Sequence, residues 1–177
     1  MVMIRPRSFG FNENTSQSNA FQQEVQFDPK EINTEFDRSV LSLKNSGVDV
    51  LVVEDSTEPA KPDAIFPNNW LQLRADGAIV LFPMASVNRR IERRPEIIEE
   101  ITKKYECSQL LDLSGYEKQT RFLEGTGSIV FDHYAKVGYV CISSRTDQEL
   151  ADSYIKSIGY TPKIFRAYYE EKELTKK

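Results

Sequence analysis

The 177-residue sequence predicts a mixed α/β fold built from three successive strand–strand–helix–strand repeats. Amphipathic helical segments end near Gly47, Tyr105 and Gly159, so the pattern recurs with a period of about 55 residues. A short apolar run typical of a buried strand follows each helix, and a pair of strand-like runs precedes the second and the third. One supersecondary unit repeated along the chain produces this pattern.

Each helical segment has start and stop signals of its own. The first follows an Asp28-Pro29 start and stops at Gly47, and apolar side chains recur every three or four residues between them. Pro95 opens the second segment and Asp147 opens the third. The predicted helices cover residues 29–46, 94–106 and 147–158.

The strand-like runs are short and apolar, and the Asp76-Gly77 pair between two of them predicts a hairpin turn. The first repeat is the weakest, because its leading strands rest on residues 1–6 and on the less regular run 20–26. The other predicted strands cover residues 48–53, 69–74, 78–83, 108–113, 127–132, 137–143 and 161–167.

The length corresponds to a single domain. We expect residues 1–177 to form one domain whose repeats cover about 1–58, 59–115 and 116–168. Residues 169–177 are a polar, charged tail for which the sequence offers no partner element.

Composition excludes several classes of function. The formal net charge is −4, so there is no electrostatic case for binding nucleic acid or an anionic membrane. No apolar run approaches the roughly 20 residues that span a bilayer, and no secretory signal is visible, so we expect a cytoplasmic protein. Two cysteines and one histidine are too few for a disulfide framework or a histidine-based metal site, and we expect no metal and no cofactor.

Five segments occur in the order typical of one enzyme family. The strings IRPRSFGFN, PDAIFPNNW, VLFPM followed by NRRIERR, LEGTGSIVFD and SSRTD resemble the guanidino-group-modifying superfamily, in particular its amidinotransferase-like, citrulline-hydrolase-like branch. The resemblance runs from Ile4 to about Ala167. It implies the pentein fold, a five-bladed α/β propeller of ββαβ units, of which this chain has three, and so a partial propeller.

The resemblance also implies a chemistry. In the family, a cysteine thiolate attacks the central carbon of a guanidino or ureido group and a histidine moves the protons. Both residues lie in later repeats of the family, so we expect an amidinotransferase-like hydrolase that acts on C–N bonds of arginine-like or citrulline-like amino acids but is inactive as this chain alone. The alternative is a truncated, non-catalytic remnant that binds an amino acid or forms homo-oligomers through exposed blade faces.

Three candidate substrate-binding residues lie before the second hairpin. Asp63 precedes an apolar segment, where a carboxylate could accept N–H donors from a substrate, and it matches a substrate-binding aspartate of the family. The alternative is an aspartate that caps a turn. Asn68 and Asn69 stand where arginine-directed relatives carry acids, and uncharged amides favour a neutral ureido group. Turn formation is the alternative role for both.

Two further candidates flank the third hairpin. Glu124 matches the family acid that orients the catalytic histidine, and an ordinary hairpin-edge residue is the alternative. Arg145 matches an arginine that grips the substrate α-carboxylate, and pairing with Asp147 is the alternative. We expect Asp63, Glu124 and Arg145 to converge on one pocket. The run NRRIERR, residues 88–94, is interpreted as a solvated basic lead-in to a helix, with a substrate-side loop as the alternative.

The cysteines and the histidine of this chain do not match the catalytic positions of the family. Cys107 ends an amphipathic helix beside the acidic Glu106, with no base nearby in sequence, and Cys141 suits a buried strand position. His133 lies in the turn of the same hairpin as Cys141, so an approach across the hairpin is the alternative to an exposed turn residue.

Overall fold

The structure, a computed structural model, describes residues 1–16, 24, 28–169 and 172–173. The helices are α1 (Glu13–Ser16), α2 (Pro29–Asn45), α3 (Val87–Arg90), α4 (Pro95–Tyr105), α5 (Gly125–Ser128) and α6 (Gln148–Ser157), with 3₁₀ turns at Pro67–Asn69 and Ser114–Gln119. The strands are β1 (Val2–Arg5), β2 (Leu51–Glu54), β3 (Leu71–Leu73), β4 (Ala78–Leu81), β5 (Gln109–Asp112), β6 (Ile129–Asp132), β7 (Val137–Cys141), β8 (Thr161–Phe165), β9 (Tyr168–Tyr169) and β10 (Lys172–Glu173).

The chain divides into two compact units. The first comprises Met1–Pro67 and Asn88–Ser108, and the second comprises Asn68–Val87 and Gln109–Lys177. No helix in the described ranges is long and apolar enough to cross a membrane.

The predicted repeat is present in the strand pairing. In one three-stranded sheet β3 pairs with β4 antiparallel and β4 with β5 parallel, and the sheet β6-β7-β8 repeats this arrangement. Because α4 connects β4 to β5 and α6 connects β7 to β8, both sheets belong to ββαβ repeats. In the first repeat β1 pairs with β2 parallel across α2, and most of the predicted run 20–26 lies outside the described residues.

The three predicted helices are confirmed to within one residue at each end, and the local signals explain why. Asp28 caps α2 by accepting a hydrogen bond from the backbone N–H of Lys30 at 2.9 Å, and Pro29 occupies its first turn. Gly47 follows α2 with a φ of +83°, a conformation that favours glycine. The apolar face of α2 then packs with Phe36 and Val40 against Val50 in the first compact unit.

The core of the second compact unit lies between α6 and the sheet β6-β7-β8. Asp147 caps α6 through a hydrogen bond of 2.7 Å from the N–H of Leu150. A Cβ atom at Gly138 of β7 would stand 2.8 Å from the buried Ile155 side chain of α6, so any larger residue here would displace that side chain. The buried residues of this core are Val80, Phe82, Leu123, Ile129, Val140, Leu150, Ala151, Tyr154 and Ile155.

Two predictions about local structure are wrong. Gly127 and Ser128 belong to the short helix α5 and not to the following strand, because the preceding Glu124 and Gly125 start a helical turn instead of an extended run. The tail was expected to have no partner element, yet β9 and β10 pair with each other antiparallel. Each of these two short strands therefore has the other as its partner.

Tyr154 gives the second compact unit a pH dependence. Its hydroxyl donates to Gln72 Oε1 at 2.5 Å, and burial raises the pKa of Tyr154 to about 12. In the unfolded chain the hydroxyl of this tyrosine ionises near pH 10. The raised pKa of the folded state therefore contributes stability that is fully present below about pH 10 and is lost as the pH rises toward 12. We expect Tyr154→Phe to reduce the loss of unfolding free energy between about pH 9 and pH 12 by roughly 2 kcal/mol.

Chemical denaturation monitored by circular dichroism across this pH range measures the effect. Tyr134→Phe, at a fully exposed tyrosine, is the matched control and should leave the alkaline slope as it is in the unchanged chain. Equal slopes in all three proteins would contradict the assignment.

Candidate functional site

Two of the sequence motifs meet in the second compact unit. The 3₁₀ turn Pro67–Asn69 presents Asn68, whose Nδ2 donates to Thr126 Oγ1 at 2.5 Å. A Cβ atom at Gly125, where φ is +41°, would stand 2.2 Å from the backbone oxygen of Asn68, and one at Gly127 would stand 2.6 Å from Asn69 Nδ2. The two glycines therefore allow the asparagine pair and the Glu124 loop to lie in direct contact.

Glu124 is a buried carboxylate, only 1% exposed, immediately before α5. Its Oε1 accepts from the N–H of Ala85 at 3.0 Å and its Oε2 accepts from Arg145 Nη1 at 3.3 Å. Its backbone N–H donates to Ser128 Oγ, and Ser128 in turn donates to the backbone oxygen of Arg145. The hairpin-edge alternative for Glu124 is wrong, because this side chain is buried and both of its oxygens accept hydrogen bonds.

Arg145 is held by the segment that contains SSRTD. Bridges of Thr146 with Leu123 and with Ser143 fix the turn, and the side chain of Arg145 remains 28% exposed. The alternative pairing with Asp147 is wrong, because Asp147 pairs with Arg121 at 2.8 Å and caps α6. Arg145 therefore has a buried acidic anchor and an accessible outer edge.

Asp63 lies in the first compact unit, next to the N-terminal segment. Its Oδ2 accepts from Asn12 Nδ2 at 2.7 Å and from Thr15 Oγ1 at 3.1 Å, and Arg89 Nε lies 3.8 Å from the same oxygen. The backbone oxygen of Asp63 accepts from the N–H of Phe66 at 2.9 Å. The alternative interpretation, in which the Asp63 side chain caps the turn after Pro62, is therefore wrong.

The basic run NRRIERR is not a solvated lead-in at Arg89. The Arg89 side chain is 5% exposed and pairs with Glu92 through both edges, Nε to Oε1 at 2.8 Å and Nη2 to Oε2 at 2.9 Å. Its Nη2 also donates to the backbone oxygens of Asp63 and Phe66. Burial raises the pKa of Glu92 despite the opposing effect of Arg89. Arg89 therefore supports the segment that carries Asp63.

Sequence reasoning missed the polar side chains that surround Asp63. Asn12 is 2% exposed and Asn88 donates to its Oδ1 at 2.8 Å. Asp55 and Lys61 form a buried ion pair with Nζ and Oδ1 3.3 Å apart in the same unit. The Arg-x-x-Glu spacing of Arg89 and Glu92 was a visible signal, whereas no local pattern distinguishes Asn12 from an exposed asparagine.

His133 and Cys141 lie at opposite ends of their hairpin. In the register of β6 with β7, Asp132 pairs with Val137 beside the turn, whereas Cys141 lies beyond the Ile129–Val140 pair. About four residues of strand, roughly 13 Å, separate the two positions, so an approach across the hairpin is wrong. His133 is exposed and its Nδ1 lies 2.9 Å from the hydroxyl of Tyr160, and Cys141 is only half-buried. No group of three or more His, Cys, Asp or Glu in the described residues is placed to hold a metal ion.

The structure brings Glu124 together with Arg145 and places Asn68 and Asn69 against the same loop. Asp63 belongs to the other compact unit, so its convergence with Glu124 and Arg145 stays a prediction. A buried carboxylate beside a partly exposed arginine, with neutral amides nearby, defines a site suited to a small polar ligand that carries a carboxylate.

Comparison with known proteins identifies the family. The model of the family described as N,N dimethylarginine dimethylhydrolase, eukaryotic, matches residues 5–175. The chain belongs to the N,N dimethylarginine dimethylhydrolase family, a family of hydrolases that act on guanidino amino acids. No curated protein sequence matches the chain.

Solved structures show the same fold. A dimethylarginine dimethylaminohydrolase from Pseudomonas aeruginosa, a cysteine-to-serine mutant complexed with citrulline, is 16% identical with a TM-score of 0.68, over 98% of this chain and 62% of that one. The N-terminal domain of an arginine dihydrolase from Cyanobacteria, bound to its substrate, is also 16% identical with a TM-score of 0.68, over 96% of this chain and 58% of that one. The predicted partial pentein fold is confirmed, and the chain spans about three-fifths of the length of these enzymes.

Proposed function

We propose that this chain supplies the substrate-holding groups of an amidinotransferase-like hydrolase that cleaves C–N bonds of citrulline-like or arginine-like amino acids. The observation that carries the proposal is the outer edge of Arg145. Its Nη1 contacts Glu124, whereas its Nε and Nη2 have no partner among the described residues. A guanidinium with a fixed inner edge and two parallel donors on its outer edge fits a carboxylate bidentately.

The neutral side of the site favours a ureido group over a guanidinium. Asn68 uses its Nδ2 on Thr126, so its Oδ1 is the atom left to accept from a ligand N–H. Asn69 occupies the space beside Gly127, where a side chain would clash with it. Because both side chains are neutral amides, neither attracts the positive charge of arginine. Citrulline should therefore bind at least as tightly as arginine.

Glu124 is proposed as the acid that orients the catalytic histidine of the family. It is buried, and its single contact of 3.3 Å with Arg145 on Oε2 leaves acceptor capacity on that oxygen. We further propose that the nucleophile and the base are not Cys141 and His133, because β7 separates them. The alternative, a non-catalytic protein that binds an amino acid, uses the same Arg145 grip and differs only in turnover.

Titration calorimetry of the purified chain tests the proposal with citrulline, arginine and agmatine, which is arginine without its carboxylate. We expect citrulline to bind at least as tightly as arginine, and agmatine to bind at least tenfold more weakly than arginine, because Arg145 has no carboxylate to hold. Arg145→Lys keeps the charge but loses the fork, so it should weaken citrulline binding about tenfold or more. Arg38→Lys, at an exposed arginine of α2, is the matched control and should leave the affinity unchanged.

Ammonia release by the same samples tests whether the described chain has turnover by itself. We expect no measurable release from citrulline or arginine by this chain alone. Agmatine binding equal to that of arginine, or unaltered citrulline binding in Arg145→Lys, would contradict the carboxylate grip. Turnover that Cys141→Ser abolishes would show that Cys141 is the nucleophile after all.

A further inference from the structure

We propose that Asn12 and Thr15 are positioning residues that hold one oxygen of Asp63 and leave the other for the ligand, an inference that rests on the proposed function. Both residues lie in the N-terminal segment around α1, where Asn12 is the last residue of the string IRPRSFGFN and neither residue was a candidate for the site. Their donors converge on Asp63 Oδ2, from Asn12 Nδ2 at 2.7 Å and from Thr15 Oγ1 at 3.1 Å. The single hydrogen of the Thr15 hydroxyl is shared with the backbone oxygen of Asn12, 3.2 Å away. Asn12 and Thr15 are 2% and 7% exposed, so both bonds are shielded from water.

The orientation of the Asn12 amide is fixed from its other side. Its Oδ1 accepts from Asn88 Nδ2 at 2.8 Å and from the backbone N–H of Asn14 at 3.2 Å. Because two donors hold the oxygen, the amide nitrogen has to face Asp63. The backbone oxygen of Asn12 also accepts from the N–H of Thr15 at 3.0 Å, which fixes the two donors relative to each other.

The consequence is an asymmetric carboxylate. Two hydrogen bonds occupy Oδ2, and Arg89 Nε lies 3.8 Å from the same atom. Oδ1 accepts no hydrogen bond from the described residues, and the side chain is 13% exposed. Asp63 therefore takes one N–H or ammonium donor through Oδ1, whereas a forked pair of donors would need both oxygens. This refines the expectation that Asp63 accepts paired N–H groups.

The test combines Thr15→Val, which removes the hydroxyl at nearly constant volume, with Thr15→Ser, which restores it. We expect Thr15→Val to weaken citrulline binding about tenfold, as the loss of a bond to a charged acceptor does, and Thr15→Ser to bind within about twofold of the unchanged chain. In an Asp63→Asn background Thr15→Val should have no further effect, because Thr15 acts through that carboxylate. Thr34→Val, at an exposed threonine of α2, is the matched control.

A readout without ligand follows the side-chain amide of Asn12 in a ¹⁵N–¹H correlation spectrum. We expect its signal to shift strongly in Asp63→Ala and to stay in place in Thr34→Val. An unchanged Asn12 signal in Asp63→Ala overturns the inference, and so does a Thr15→Val effect of equal size with and without the Asp63 carboxylate. If the unchanged chain binds no citrulline while the Asn12 signal still depends on Asp63, the positioning contact is supported and the proposed function is overturned.

Discussion

Replacing Glu92 by alanine is expected to lower the free energy of unfolding by about 3–5 kcal/mol. The Glu92 side chain is 2% exposed and binds both edges of the Arg89 guanidinium. Alanine removes the carboxylate that binds both edges of that guanidinium, itself 5% exposed, although Asp63 Oδ2 remains 3.8 Å from its Nε. The large effect comes from breaking a buried pair by removing one partner, which leaves the desolvated guanidinium with its two strongest hydrogen bonds lost. The raised pKa of Glu92 reflects the same desolvation.

Chemical denaturation followed by circular dichroism measures this loss. Glu96→Ala is the matched control, because Glu96 is 58% exposed and pairs with Arg94 at 3.2 Å on the surface of the same compact unit. We expect the control to cost about 1 kcal/mol or less, since solvent screens an exposed pair. Glu92→Gln, which keeps one acceptor, should fall between the two. Equal losses in Glu92→Ala and Glu96→Ala would show that burial of the pair has no energetic consequence.

The repeat was predictable because its signals are local. Asp28 caps α2, Asp147 caps α6, and Pro95 opens α4 without a capping side chain, so each predicted helix has a local start signal. Amphipathic spacing likewise depends only on neighbouring turns. The short helix α5 was not predicted, because its two glycines give no amphipathic periodicity. Its conformation is set instead by contact with Asn68, 57 residues earlier in the chain than Gly125.

The partners in the site were not predictable, because local and distant pairings compete. Arg145 has Asp147 two residues away, yet the turn directs it to Glu124, while Asp147 binds Arg121. In the same way His133 and Cys141 share a hairpin, but strand register decides their separation. Register and turn geometry therefore decide which of the residues named from the sequence touch each other.

Asn69 and Gly127 depend on each other through packing. The Asn69 amide lies against Gly127, where an added Cβ atom would stand 2.6 Å from Asn69 Nδ2. A side chain at 127 and the observed Asn69 rotamer exclude each other on steric grounds. The neutral character attributed to the site therefore depends on both positions, and changing one alone disturbs the packing before it alters the charge.

Gly125→Ala is expected to lower the free energy of unfolding of the second compact unit by about 3 kcal/mol. A φ of +41° is itself unfavourable for alanine, by about 1–2 kcal/mol. A Cβ atom would also stand 2.2 Å from the backbone oxygen of Asn68, which no side-chain rotation relieves, and forced backbone shifts cost about 1–3 kcal/mol. Gly159→Ala is the matched control, because Gly159 has a φ of +79° with nothing within 4 Å of the added atom.

Denaturation followed by the fluorescence of buried Trp70, the single tryptophan of the sequence, reports on this unit. If Gly125→Ala costs no more than Gly159→Ala, the two loops do not pack as described and the Asn68 contact is absent.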